Sequence, residues 1–126
     1  MPRACNYTGY KDLSGSYWVA IKNRAFKKQI IFDIDIEYAW DLFISQNRKC
    51  ALSGLDIYLS PNLKKKRNSA SLDRINNDLG YIYGNVQWLH KDVNNIKGSM
   101  SKDLMLYYCK SICYVDMIEK KRDPFI

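Results

Sequence analysis

Asp73 and Asn94 are the residues of this chain whose types and spacing could do chemistry. Both fall in residues 69–98, SASLDRINNDLGYIYGNVQWLHKDVNNIKG. A carboxylate and a carboxamide are hard oxygen donors. Mg²⁺ prefers such oxygens and keeps several of its waters, so one or two protein ligands hold it. A cation held this way neutralises charge on a phosphodiester and lowers the pKa of a bound water, the two requirements of phosphodiester hydrolysis. Asp73 and Asn94 are therefore candidate ligands for one Mg²⁺ or Mn²⁺. Arg74 cannot give up its proton, so its expected part is a bidentate grip on the phosphate. His90, the one histidine of the chain, and Tyr58 are the candidates for the general base.

The elements that must position these groups read as strand, long loop, strand, helix. Asp73 and Arg74 close the first strand, Asn85-Val86-Gln87-Trp88 opens the second, and the helix carries Asn94 and Lys97, three apart on one face. The helix is predicted to fold back beneath the hairpin, delivering Asn94 and packing Val93 and Ile96 against Trp88 and Leu72. Its N-terminus offers N–H groups to phosphate. Asn85 follows Gly84 and also reads as a turn residue that tolerates left-handed backbone. His90, between strand and helix, also reads as a structural residue that caps the helix or bonds near Cys50.

Outside this stretch, Ser14 or Ser16 caps a helix running to about Gln29, with Trp18, Ile21 and Ala25 on one side. Ile30 to Ile34 reads as a short strand, and Asp35 caps a second helix with Ile36, Ala39, Trp40 and Phe43 in its apolar stripe. Leu55 to Leu59 reads as a strand. Ser101 caps a last helix, about residues 102–120, from which Leu106, Cys109, Cys113 and Met117 are expected to pack inward.

The net charge of +7, from 20 Lys and Arg against 13 Asp and Glu, favours a polyanionic partner, nucleic acid first. Lys64, Lys65, Lys66 and Arg67 run in succession beside the first strand of the candidate site, and with Arg74, Lys91 and Lys97 they are the expected contacts to the nucleic-acid backbone. At 126 residues with 47% hydrophobic content, the chain is expected to fold as one domain. No apolar run reaches the roughly 20 residues of a membrane span, and no apolar leader opens the chain, so the expected location is cytoplasmic. The four cysteines form no CxxC pair and are expected as free thiols.

Residues 50–98 resemble the HNH, or ββα-metal, endonuclease family, and most closely its Asp-Arg branch, common in phage proteins and found in some restriction enzymes. The resemblance rests on Leu72-Asp73-Arg74-Ile75, Gly80-Tyr81, Gly84-Asn85-Val86-Gln87-Trp88 and Asn94-Asn95-Ile96-Lys97, with Ser16-Tyr17-Trp18 and Cys50-Ala51-Leu52-Ser53-Gly54 upstream. It implies a small single α+β domain: a ββα-metal core over about 50–98, with helical flanks at about 14–49 and 102–120. It also implies a metal-dependent endonuclease acting on duplex DNA. By the resemblance Asp73 and Asn94 are the metal ligands, and Asn85 is the middle asparagine that organises the loop and the attacking group. Two departures matter. The commoner pattern has a histidine base after the metal aspartate, where this chain has Arg74. Many relatives also carry two CxxC zinc knuckles, whose positions here are Cys50, Ser53, His90 and Val93. Two of four ligands do not close a tetrahedral site, so no structural zinc is expected. The rival readings are a catalytically silent DNA-binding module and an RNA-binding basic protein. A homodimer is expected if the last helix exposes an apolar patch.

Overall fold

The computed structural model describes residues 8–59 and 68–121. Its helices start where a side chain supplies the acceptor that the first turn lacks. Ser14, not Ser16, accepts the Tyr17 N–H through Oγ at 3.2 Å and opens α1 (Gly15–Lys27). Asp35 accepts the Tyr38 N–H through Oδ1 at 2.8 Å and opens α2 (Ile36–Ser45). Left-handed residues stop both helices: Gln29 (φ 58°) beyond α1, and Asn47 and Arg48 (φ 55° and 58°) beyond α2. That turn lays the Arg48 guanidinium over the Trp40 and Phe43 rings, 5.3 and 5.6 Å from their centroids.

Two small sheets complete the α+β architecture. β1 (Phe32–Asp33) pairs in parallel with β3 (Tyr81–Ile82), and β2 (Ala70–Arg74) pairs antiparallel with β4 (Val86–His90). The strand expected over Ile30 to Ile34 therefore shrinks to two residues. Its partner approaches very closely at Ile31: the Tyr81 N–H donates to the Ile31 carbonyl at 2.8 Å, and a Cβ on Gly80 would lie 2.5 Å from that same oxygen. Glycine at position 80 is what lets the segments meet. Leu55 to Leu59 forms no strand. It contributes one bridge, Lys49 to Asp56, and two buried side chains, Ile57 and Leu59.

Trp88 sits at the centre of the core. It is fully buried on β4, meets Phe43 edge to face at 6.0 Å, and donates from Nε1 to the Ala39 carbonyl at 2.8 Å. Gln46, just past α2, satisfies both backbone groups of Trp88: Oε1 accepts its N–H at 3.0 Å and Nε2 donates to its carbonyl at 2.9 Å. The side-chain amide thus replaces a missing strand partner at the edge of β4 and fixes α2 against it.

β4 runs directly into α3 (Lys91–Lys97), which Gly98 ends with φ 54°. Val93 packs against the core as expected, whereas Ile96 is 62% exposed. The chain divides into two compact units, Met1–Ile96 and Lys97–Ile126. The second unit holds α4 (Lys102–Lys121), opened by Ser101 Oγ accepting the Leu104 N–H at 3.2 Å. Leu106, Cys113 and Met117 are exposed and Cys109 is half-buried; the buried residue of α4 is Met105. Spacing gave those four residues a shared side of the helix but no partner to bury it. Among the described residues, no helix is long and apolar enough to cross a membrane.

Candidate functional site

One face of the β2–β4 hairpin gathers the polar groups. The register pairs Asp73 with Gln87 and Ser71 with Leu89. Side chains alternate along a strand, so Ser71 and Asp73, two apart, share a face with Gln87 opposite. Asp73 is 6% exposed, and its Oδ2 accepts from Gln87 Nε2 at 3.0 Å. Asn94, on the second turn of α3, donates from Nδ2 to Ser71 Oγ at 2.7 Å. That bond ties the helix back under the hairpin and turns the carbonyl edge of the Asn94 amide away from Ser71. The two predicted metal ligands are thus tied to one hairpin face, each oriented by a polar neighbour. Among the described residues no three His, Cys, Asp or Glu side chains gather to hold a metal. A cation here would rest on one carboxylate, one amide oxygen and its own waters, a donor set that suits Mg²⁺ and not zinc.

The loop between the strands is held from within by Asn85. This residue is 6% exposed. Its Oδ1 accepts the Asn76 N–H at 2.9 Å, and its Nδ2 donates to the carbonyls of Asn76 and Gly80 at 3.0 and 2.8 Å. The loop-organising role is therefore visible in the bonds. The left-handed position is its neighbour Gly84, at φ 84°.

Arg74 and His90 do not share the Asp73 face. Arg74 adjoins Asp73 on β2 and so points to the opposite side. Its Nη1 donates to the carbonyls of Asn77 and Leu79 at 2.8 and 3.0 Å, and its guanidinium lies 5.7 Å from the Tyr81 ring centroid. This geometry ties down the loop through one end of the guanidinium. His90 pairs with Ala70, on the same side as Arg74. Its Nδ1 accepts the Asp92 N–H at 3.1 Å, so it caps α3, the structural alternative. The Lys91 N–H donates to the Ser69 carbonyl at 2.8 Å. These two bonds engage the first two N–H groups of α3, at the end where the sequence offered N–H groups to a phosphate. Tyr58, the other candidate base, accepts the Ser69 and Ala70 N–H groups through its carbonyl at 2.9 and 3.2 Å.

Cys50 opens a tight turn. The Ser53 N–H points at Cys50 Sγ at 3.4 Å and the Gly54 N–H donates to the Cys50 carbonyl at 2.9 Å, with Gly54 at φ 73°. Burial raises the Cys50 thiol pKa, but hydrogen bonds from Ser53 and from the backbone of His90 and Leu52 outweigh burial and leave it below its ordinary value.

Of the expected cationic contacts, Lys91 is exposed on α3, whereas Lys97 is 1% exposed and presents no surface ammonium to a phosphate. Lys64, Lys65, Lys66 and Arg67 lie outside the described residues. Sequence reasoning missed Ser71 and Gln87. Their signal was periodicity: Ser71 lies two before Asp73, and Gln87 opens the strand that must pair with it. No protein-family model, curated protein or solved structure matches this chain.

Proposed function

We propose that this chain is a metal-dependent DNA endonuclease of the ββα-metal type. The observation that carries the reading is the tethering of Asn94 through Ser71 to the hairpin face that holds Asp73. When bound, Mg²⁺ or Mn²⁺ would withdraw charge from a phosphodiester and acidify a water. The chain's own residues would prepare that ground. Asp73 offers a carboxylate with one oxygen fixed by Gln87, and Asn94 offers a carbonyl oxygen whose direction Ser71 sets. Asn85 and Arg74 hold the loop that follows β2, and so the end of the strand that carries Asp73. The net charge of +7 draws the polyanion, and exposed Lys91 stands on the helix that carries Asn94.

The test is nicking of supercoiled plasmid. Cleavage is expected with Mg²⁺ or Mn²⁺, lost with chelator, and lost in Asp73→Ala and Asn94→Ala. Equal nicking by wild type and Asp73→Ala, with or without chelator, overturns the proposal. A second reading, a DNA-binding module without catalysis, is favoured by the engagement of both Arg74 and His90 away from Asp73. It requires binding to duplex that ignores divalent cations and no cleavage of any substrate.

A further inference from the structure

The second unit carries a surface that its own residues do not cover. Along α4, Leu104, Tyr107, Ser111, Tyr114 and Ile118 recur at alternating steps of three and four. That is the spacing of a coiled-coil seam, which keeps one line of side chains facing a partner helix. The apolar members are 42%, 63%, 64% and 39% exposed in chain order. Tyr108 and Val115 widen the stripe on one side. No charged residue falls within it, and Lys102, Asp116 and Lys120 lie on the far side. The one polar member is self-sufficient: Ser111 Oγ donates to the Tyr107 carbonyl of its own helix at 2.8 Å.

We infer that this stripe is a homodimer interface, in which α4 pairs antiparallel with α4 of a second copy about a two-fold axis near Ser111. Size supports it. The six apolar stripe residues, roughly half exposed, offer on the order of 600 Å² per copy, against about 800 Å² per partner in a standard interface. A lone patch of that extent is at the upper end of what monomers leave bare.

Charge decides the direction. A parallel pair would set Lys121, the next position of the seam, against Lys121 of the partner and align the two helix dipoles. An antiparallel pair opposes the dipoles. It also brings Asp103, in the first turn, along the same flank as Lys121 in the partner's last turn. Lys110, on that flank near the axis, then faces its own copy, an exposed contact of small cost. The inference does not depend on the nuclease reading.

Light scattering on the full chain at micromolar concentration should give twice the 14.8 kDa of one chain. Tyr114→Glu should halve that mass with the helical circular dichroism retained. A wild-type monomer, or a Tyr114→Glu dimer, overturns the interface. Direction is tested by oxidation in a Cys109→Ser, Cys113→Ser background. Ser111→Cys should cross-link to itself, and Leu104→Cys should cross-link only when mixed with Ile118→Cys. Equal self-cross-linking of Leu104→Cys alone overturns the antiparallel arrangement.

Discussion

Replacing Asn85 by alanine should destabilise the chain by releasing the loop that joins β2 to β3. The side chain makes three bonds, all to backbone groups of the loop that joins β2 to β3: the Asn76 N–H, the Asn76 carbonyl and the Gly80 carbonyl. At about 1 kcal/mol net for each bond the loss is roughly 3 kcal/mol. Exposure of Asn76 lets water recover part of it, while the cavity left at a residue 6% exposed adds to it. We expect about 2–4 kcal/mol. With a urea slope of roughly 1.5 kcal/mol/M, the unfolding midpoint should fall by about 2 M. Asn85→Asp keeps the acceptor for Asn76 N–H but turns a second oxygen toward two carbonyls, so it should rescue little. Equilibrium urea unfolding followed by Trp fluorescence reads the effect. A midpoint for Asn85→Ala within about 0.3 M of wild type would refute the claim that this amide organises the loop.

Other outcomes follow from the same geometry. Trp88→Phe removes the donor to the Ala39 carbonyl and part of the packing on Phe43, and should cost about 2–4 kcal/mol in the same unfolding experiment. Tyr17 donates its hydroxyl to the Ala70 carbonyl, and burial raises its pKa, opposed in part by Arg24. A phenol whose pKa is raised in the folded state contributes stability below the unfolded value of about 10 and loses it as pH rises through the folded value. Wild type should therefore lose stability more steeply above about pH 10 than Tyr17→Phe, and parallel alkaline melting curves would contradict this. Arg74→Lys keeps the charge but loses the planar group that reaches two loop carbonyls, so it should lower stability by about 1–2 kcal/mol; unchanged stability with lost DNA cleavage would instead make Arg74 a phosphate ligand.

Much of this arrangement was legible because it is local. Caps at Ser14, Asp35 and Ser101 follow from hydroxyl and carboxylate chemistry one turn before an apolar stripe. The β2–β4 hairpin followed from two apolar runs around a glycine- and asparagine-rich loop. What escaped depends on distant segments. The pairing of Phe32–Asp33 with Tyr81–Ile82 is parallel and spans nearly fifty residues, and only the glycine at 80 hinted at it. The edge of β4 is satisfied by a side chain, Gln46, and no strand propensity encodes that. At the site, residue types named Asp73 and Asn94, but alternation decides which neighbours join them. It brings in Ser71 and Gln87, and sends Arg74 and His90 to the other side. Adjacent positions on a strand face apart, so the Asp-Arg pair that looked like one functional unit separates into a candidate ligand and a loop clamp.

The central claim is that Asp73 and Asn94 hold one cation together. Mn²⁺ binding, followed by electron paramagnetic resonance, tests it most directly on wild type, Asp73→Asn, Asn94→Leu and the double variant. Ligands of a shared ion are coupled, so each single change should weaken binding about as much as both together. Wild-type Mn²⁺ affinity in Asn94→Leu, or strictly additive losses across the cycle, would contradict the account.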